Sequence, residues 1–283
     1  MSALRHGAEP AKVDLFKTRH GAVLMNPFQI RLMARLEERH WWYQSTHQLV
    51  GDCLRTFSRS PRSILDVGCG TGGLMRKLST MGTVSGIDPN PLAIRLAQKY
   101  LPKHSAHLLL VGGIHTLPEL ALPAVDCITC IDVLYHRTVR SWRRALQIMA
   151  HRLTPEGLLV LQVPAFACLK GSHDLAVDGV RRFHRAPVVR ALEKNGFSIL
   201  LCSYRFSWLF PGLLVVRSWE RWRATQKARA NDLSSMDFLP AWIRDSTHAT
   251  MLRLAQLENE FILSGTSFPM GSSLFVVARK TAS

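Results

Sequence analysis

Nine consecutive residues, Ile64-Leu65-Asp66-Val67-Gly68-Cys69-Gly70-Thr71-Gly72, constrain the fold of this chain more than any other stretch. An apolar run of strand length stops at three glycines spaced two apart, and Leu74 to Leu78 then starts a helical pattern. Glycines in such a turn reach positive φ and let a ligand approach the backbone closely. A strand, a glycine turn and a helix in that order open an α/β unit that holds a nucleotide-like ligand. The Lys-Ser/Thr pair of a phosphate-binding P-loop is missing. Asp66 precedes the first glycine, where a carboxylate suits an amine-bearing or cationic ligand better than a pyrophosphate. Asp88 closes the next apolar run, placed to accept both hydroxyls of a ribose.

The rest of the chain repeats the alternation. Pro27 to Phe57 reads as mostly helical, with Ile30, Met33 and Leu36 at helical spacing and Trp41-Trp42-Tyr43 behind them. Strands are expected at Ser63–Val67, Val84–Ile87, Ala106–Val111, Val125–Ile131, Gly157–Val163, Phe197–Ser203 and Ser273–Ala278. Helices are expected after Pro91, over Trp142–Leu153 and over Ala186–Lys194, the last stopping at Asn195-Gly196. Together they imply an α/β fold: a Rossmann-like, seven-stranded, mostly parallel sheet with helices on both faces. Tyr204 to Met270 is too long for a plain loop and is expected to be a helical insertion before the last strand.

Lys and Arg number 36 against 20 Asp and Glu, a formal net charge of +16. That excess admits three partner classes: nucleic acid, an anionic membrane surface, or an anionic small substrate. The six cysteines show no disulfide framework. Cys127 and Cys130 form a C-x-x-C, but on a strand they point to opposite faces, so buried thiols are expected instead of a zinc or redox centre. No metal is expected, and the thiols fit a reducing cytoplasm. No apolar stretch reaches the ~18 residues of a membrane span. The first two dozen residues lack an apolar signal segment and read as a flexible tail.

On these motifs the chain resembles class I S-adenosyl-L-methionine (SAM) dependent methyltransferases over roughly Ile64 to Val163. Ile64–Gly72 resembles the family's first motif and Gly86-Ile87-Asp88-Pro89 its second. Gly112-Gly113-Ile114 opens the third, Val125 to His136 resembles the fourth, and Leu153 to Leu158 resembles the turn before the fifth strand. The resemblance implies SAM as cofactor. It sets Asp66, Gly68, Cys69 and Gly70 near the methionine moiety and ribose, and Asp88 with Pro89 on the ribose. Gly113 and Ile114 would meet the adenine, and Ile131 would pack beside the cofactor. Many relatives carry Asp where this chain has Gly113, so one adenine contact is missing.

Methyl transfer to oxygen needs a general base. His136 follows the fourth strand at the edge where α/β sheets bind ligands, and can serve as one; capping of the following segment is the alternative. Val163-Pro164-Ala165, His173-Asp174 and Arg181-Arg182-Phe183, with His40-Trp41-Trp42-Tyr43, resemble a narrower bacterial group. That resemblance implies that His173 and Asp174 join the catalytic set. Arg181, Arg182, Tyr43 and Tyr135 would face the acceptor. Paired guanidiniums suit a phosphate or carboxylate. The group's paired arginines after the Trp-Trp run are replaced here by Thr46 and His47, and its His by Val180.

The expected organisation is a tail (1–26), a helical cover (27–60), a SAM-binding core (61–204), an insertion (205–270) and a last strand (271–283). Phe206 to Val216 is apolar and aromatic. The basic stretch that follows carries Trp219 and Trp222, so the insertion is either a lid or an interfacial anchor. The expected reaction is methylation of an oxygen on a small or lipid-linked glycan or natural product. The alternatives are a SAM-binding regulator without turnover and an RNA methyltransferase. The latter lacks the Asn/Asp-Pro-Pro-Tyr motif used on extruded bases, so nucleic acid ranks last among the expected partners.

Overall fold

The computed structural model describes residues 27–58, 61–102, 107–171, 174, 177–226 and 241–282. The tail expected at 1–26 and the candidate His173 lie outside them. Helices α1 (Pro27–Leu36) and α2 (Trp41–Phe57) precede β1 (Ser63–Val67). The expected single helical cover breaks between them. The His40 Nδ1 accepts from Trp42 N at 3.3 Å and starts α2 as its N-cap. Then come α3 (Gly73–Leu78), β2 (Thr83–Asp88), α4 (Pro91–Tyr100), β3 (His107–Val111), β4 (Val125–Ile131), α5 (Trp142–Arg152), β5 (Leu153–Pro164), α6 (Arg185–Lys194) and β6 (Phe197–Arg205). The insertion contains α7 (Phe210–Gln226) and α8 (Ala241–Leu263), and β7 (Ser273–Lys280) follows.

Sequence chemistry explains the boundaries. Asn90 caps α4 through Leu92 N and Ala93 N, with Pro91 at the first helical position. Ser141 caps α5 through Arg144 N. Gly196, at φ +76°, ends α6 as expected. The fifth strand starts four residues earlier than expected. Leu153 already pairs with Val125, and a register shift before Cys127 absorbs the turn at Glu156, whose φ is +62°.

The seven strands lie in the order β3-β2-β1-β4-β5-β7-β6. The β1–β2, β2–β3, β1–β4 and β4–β5 pairs are parallel. Only β7 runs antiparallel, between β5 and β6. Chain direction across the sheet reverses beside β1, so the carboxyl ends of β1, β2 and β4 open a crevice at the switch point. One face of the sheet carries a core with Leu146 and Met149 of α5 and Val188 and Leu192 of α6. The other carries Leu49, Cys53 and Leu54 of α2, Leu78 of α3, Ala97 of α4 and Ile262 of α8. Cys127 belongs to the second core and Cys130 to the first, on opposite faces as the strand spacing implies.

The cover and the insertion, expected as separate units, pack on each other. Asn259 Nδ2 of α8 donates to Ser45 O of α2 at 2.8 Å, and Gln256 Nε2 donates to Gln48 Oε1 at 3.0 Å. No helix among the described residues is long and apolar enough to cross a membrane. Because α2 supplies core side chains, the cover is part of the fold's stability. Leu49 is fully buried. Leu49→Ala is expected to cost roughly 2–5 kcal/mol in urea unfolding. A loss well under 1 kcal/mol would mean that α2 is a detachable flap.

Candidate functional site

The crevice at the sheet's switch point is a cleft of about 530 Å³. Its floor is the glycine turn and the ends of β1 and β2: Asp66, Gly68, Cys69, Gly70, Asp88 and Pro89. Its wall is the end of β4, from Ile131 to Asp132, with Tyr135 and His136. Trp42 and Tyr43 come from the cover, and Leu213 and Arg217 come from α7. A second, shallow depression lies on the outer side of α7, against Trp219 and Trp222, and shares no residue with the cleft.

The floor is built by backbone demands. Gly68 sits at φ +75°, and a Cβ there would come within 2.2 Å of Val133 Cγ2. Gly68 N donates to Ile87 O at 2.7 Å, which ties the turn to β2. Asp88 accepts from Gly70 N through Oδ2 (3.1 Å) and from Asn90 N through Oδ1 (2.8 Å). Each oxygen keeps lone pairs for a further donor. Asp66 stands opposite Thr129, whose hydroxyl donates to its Oδ1 at 2.7 Å.

Glu37, which sequence reasoning passed over, holds the turn from above. Its Oε2 accepts from Thr71 Oγ1 at 2.6 Å and from Gly73 N at 3.0 Å, capping α3 from a distant helix. One signal was present: Glu37 continues the Ile30, Met33 spacing one residue past the end of α1. Burial raises the carboxyls of Glu37 and Asp66 to about 7 and those of Asp88 and Asp132 to about 6. The interior of the cleft is thus acidic, although the whole chain is strongly basic.

The acceptor side differs from expectation. Asp174 does not face the cleft as an open acid: both its oxygens take the Arg182 fork at 3.0 Å, and Oδ2 also accepts from Gly171 N. Arg182 lines the cleft, and its Nη1 donates to Ala165 O. Arg181 does not line it at all; its Nη1 donates to Leu134 O and Val139 O. Both guanidiniums, expected to face the acceptor, thus also brace the fold, Arg182 at the cleft and Arg181 outside its lining. A half-buried arginine fork takes the nearest carboxylate or carbonyl before any ligand arrives. Gly113 and Ile114 also stand apart from the cleft lining. The Ile114 side chain belongs to the core with Leu65, Ile87 and Leu117, and the space beside Gly113 is open.

His136 does line the cleft. Its ring lies 4.3 Å from that of Tyr135, and burial lowers its pKa against the pull of Asp178, so the imidazole is neutral near pH 7. Tyr43 is packed edge-on to Trp42 at 4.9 Å, and burial raises its phenol. Cys69 is buried beside the turn and Ile131 borders the cleft. Behind the wall, Gln162 Nε2 donates to Asp132 Oδ2 at 3.0 Å, and Arg205 Nη1 donates to Gln162 Oε1 at 2.6 Å. Neither Gln162 nor Arg205 stood out in sequence. Thr46 Oγ1 accepts from Arg205 Nη1 at 3.0 Å.

Residues 64–157 match a family model described as a methyltransferase domain. The tRNA U34 carboxymethyltransferase of Shewanella putrefaciens is 41% identical over 167 residues, 56% of this chain and 42% of the relative. The mitochondrial ubiquinone biosynthesis O-methyltransferase of Schizosaccharomyces pombe is 34% identical over 107 residues, 36% of this chain and 38% of the relative. The chain thus spans about two-fifths of the length of these curated relatives. The solved N-methyltransferase NodS of Bradyrhizobium japonicum, in complex with S-adenosyl-L-homocysteine, superposes with a TM-score of 0.54 at 15% identity, covering 90% of this chain and 98% of that one. The match at 64–157 spans the glycine turn, β2 and the end of β4, and the seven-stranded fold around them is one that solved methyltransferases share.

Proposed function

We propose that the chain is a SAM-dependent methyltransferase acting on an oxygen of a small or lipid-linked glycan or natural product. The observation that carries the cofactor reading is Asp88, oriented by two backbone N–H groups at the end of β2 beside the glycine turn. The donor set fits the group. Asp88 would take the ribose diol. Asp66 and the backbone of Gly68 and Gly70 would take the methionine end. An acidic cleft suits a ligand bearing a sulfonium and an ammonium. SAM supplies the electrophilic methyl carbon when bound. The protein's work is then to position the acceptor and exclude water. Trp42 and Tyr43 from α2 and Leu213 from α7 close the cleft from two sides. The lid reading of the insertion draws on Leu213 and Arg217. The interfacial reading draws on the opposite side of α7, where Val215, Trp219 and Trp222 are exposed.

A second reading, an RNA acceptor, is favoured by the relatives named for tRNA and by the net charge of +16. A carboxylated donor, as those names suggest for the relatives, suits this cleft less well: Arg182 and Arg217 already hold Asp174 and Glu220. Labelled methyl from SAM, offered to total RNA and to lipid and glycan extracts, decides between the acceptors. Label in nuclease-sensitive material would overturn the first reading.

Asp88→Ala is expected to weaken SAM binding ~10- to 100-fold by calorimetry, the loss of hydrogen bonds to a charged acceptor. Unchanged affinity would sink the cofactor assignment. The raised carboxyls give a second expectation. An acid whose folded pKa is raised favours the fold at low pH and loses that contribution as pH climbs through its folded value, here about 6 to 7. A cationic ligand favours the same groups ionised, so SAM affinity rises over this window. The thermal midpoint gained on adding SAM should be larger at pH 8 than at pH 5. An equal gain at both would contradict the acidic-cleft argument.

A further inference from the structure

Asp132 is the first residue beyond β4, at φ +51°, a conformation that residues with side chains adopt at a cost of about 1 kcal/mol or more. Its N–H is held by Gln162 O at 2.9 Å, so the strained turn is latched to β5. The side chain forms part of the cleft wall. Oδ2 is engaged by Gln162 Nε2, but Oδ1 is closed off from solvent and accepts no hydrogen bond. A buried carboxylate oxygen without a donor is expensive and seldom left so without purpose.

The carboxylate cannot easily turn to repair this. The Gln162 amide is oriented by Arg205, and Arg205 is itself fixed by Thr46 Oγ1 and by Asn259 Oδ1, both at 3.0 Å. The relay from α2 and α8 through β6 and β5 therefore commits Oδ2 and reserves Oδ1. The charged and titratable groups that act on Asp132 come from five places: Tyr43 of α2, Cys130 of β4, Tyr135 after β4, Arg182 before α6 and Arg205 of β6. The two arginines favour the ionised carboxylate, and both already have hydrogen-bond partners.

We propose that Asp132, through Oδ1, is the proton acceptor for the methyl acceptor, which accordingly presents a hydroxyl or amine hydrogen at the point of transfer. The inference rests on the SAM reading above. As the acceptor heteroatom forms its bond to the methyl carbon, the carbon–sulfur bond breaks and leaves its electron pair on sulfur. The proton given up by the heteroatom passes to Oδ1, so that Asp132 ends the step as the neutral acid. Gln162 and Arg205 are positioning residues in this scheme, and His136 flanks the site as a neutral ring. With burial raising Asp132 only to about 6, the carboxylate is ionised at pH 7 and ready to accept.

Sinefungin and S-adenosylhomocysteine test this without knowledge of the acceptor. Sinefungin carries an ammonium where the transferred methyl sits; S-adenosylhomocysteine carries nothing there. The full chain at pH 8 is expected to bind sinefungin about tenfold more tightly, the worth of one charge-assisted hydrogen bond. Asp132→Asn should lose that preference while its affinity for S-adenosylhomocysteine stays within about twofold. If the variant does not fold, the unmodified chain gives the same answer. The preference should vanish at pH 5, where Asp132 is protonated, because Asp66 and Asp88 act on parts common to both ligands and cancel in the ratio. A preference that survives in the variant, or at pH 5, overturns the role of Asp132 and leaves the cofactor reading standing. Failure of the unmodified chain to bind either ligand overturns the cofactor reading itself, and this inference with it.

Discussion

A guanidinium with no access to water lies behind the cleft, and three surrounding elements each supply an acceptor to its two terminal nitrogens, while its Nε finds none. Arg205 is fully buried, yet its hydrogen bonds go to neutral groups: Thr46 of α2, Gln162 of β5 and Asn259 of α8. The rings of Phe206 and Phe275 face it at 4.4 and 5.7 Å. Burial lowers its pKa to about 10, so it stays charged near neutrality. Glu258, which helps to hold that charge, is itself occupied by Phe206 N, Ser207 N and Ser207 Oγ. Loss of any one neutral partner would leave a buried charge under-satisfied, a far greater cost than the partner's own hydrogen bond. The cover, the sheet and the insertion are thereby tied to one another at the back of the site.

That arrangement separates two electrostatic regimes. Basic residues dominate the chain as a whole, whereas Glu37, Asp66, Asp88 and Asp132 share the cleft with arginines that are already paired. Long-range attraction toward an anionic partner and short-range selection of a cationic or proton-bearing group can therefore coexist in one molecule. The outer field acts on encounter, and the inner field acts on what fits at the floor.

The sheet was readable in the sequence because its signals are local. Strand periods, the glycine turn, the Asn90-Pro91 cap and the Asn195-Gly196 stop all act within a few residues. Asp88 and the turn were readable for the same reason. Glu37, Gln162 and Arg205 were not, because their partners lie tens to more than a hundred residues away and their meaning is set by packing. The arginine pair shows the converse error. Arg181-Arg182 looks like an anion site in one dimension, but Asp174 and the carbonyls of Leu134, Val139 and Ala165 already engage both guanidiniums. Asp132 stood inside a motif singled out for its neighbours, and what brings it forward is an unmatched oxygen beside one that the Gln162–Arg205 relay holds fixed.

The position of β7 between β5 and β6 bears on how such a chain reaches its native state. These two strands precede β7 in the chain, but neither pairs with the other. Until β7 arrives, each presents an open edge of backbone donors and acceptors, separated by a gap one strand wide. The segment between β6 and β7 holds α8, whose Asn259 and Glu258 lie beside Arg205 in the finished fold. Closure of the sheet is therefore a late, long-range event, and its edges are open to self-association during the interval.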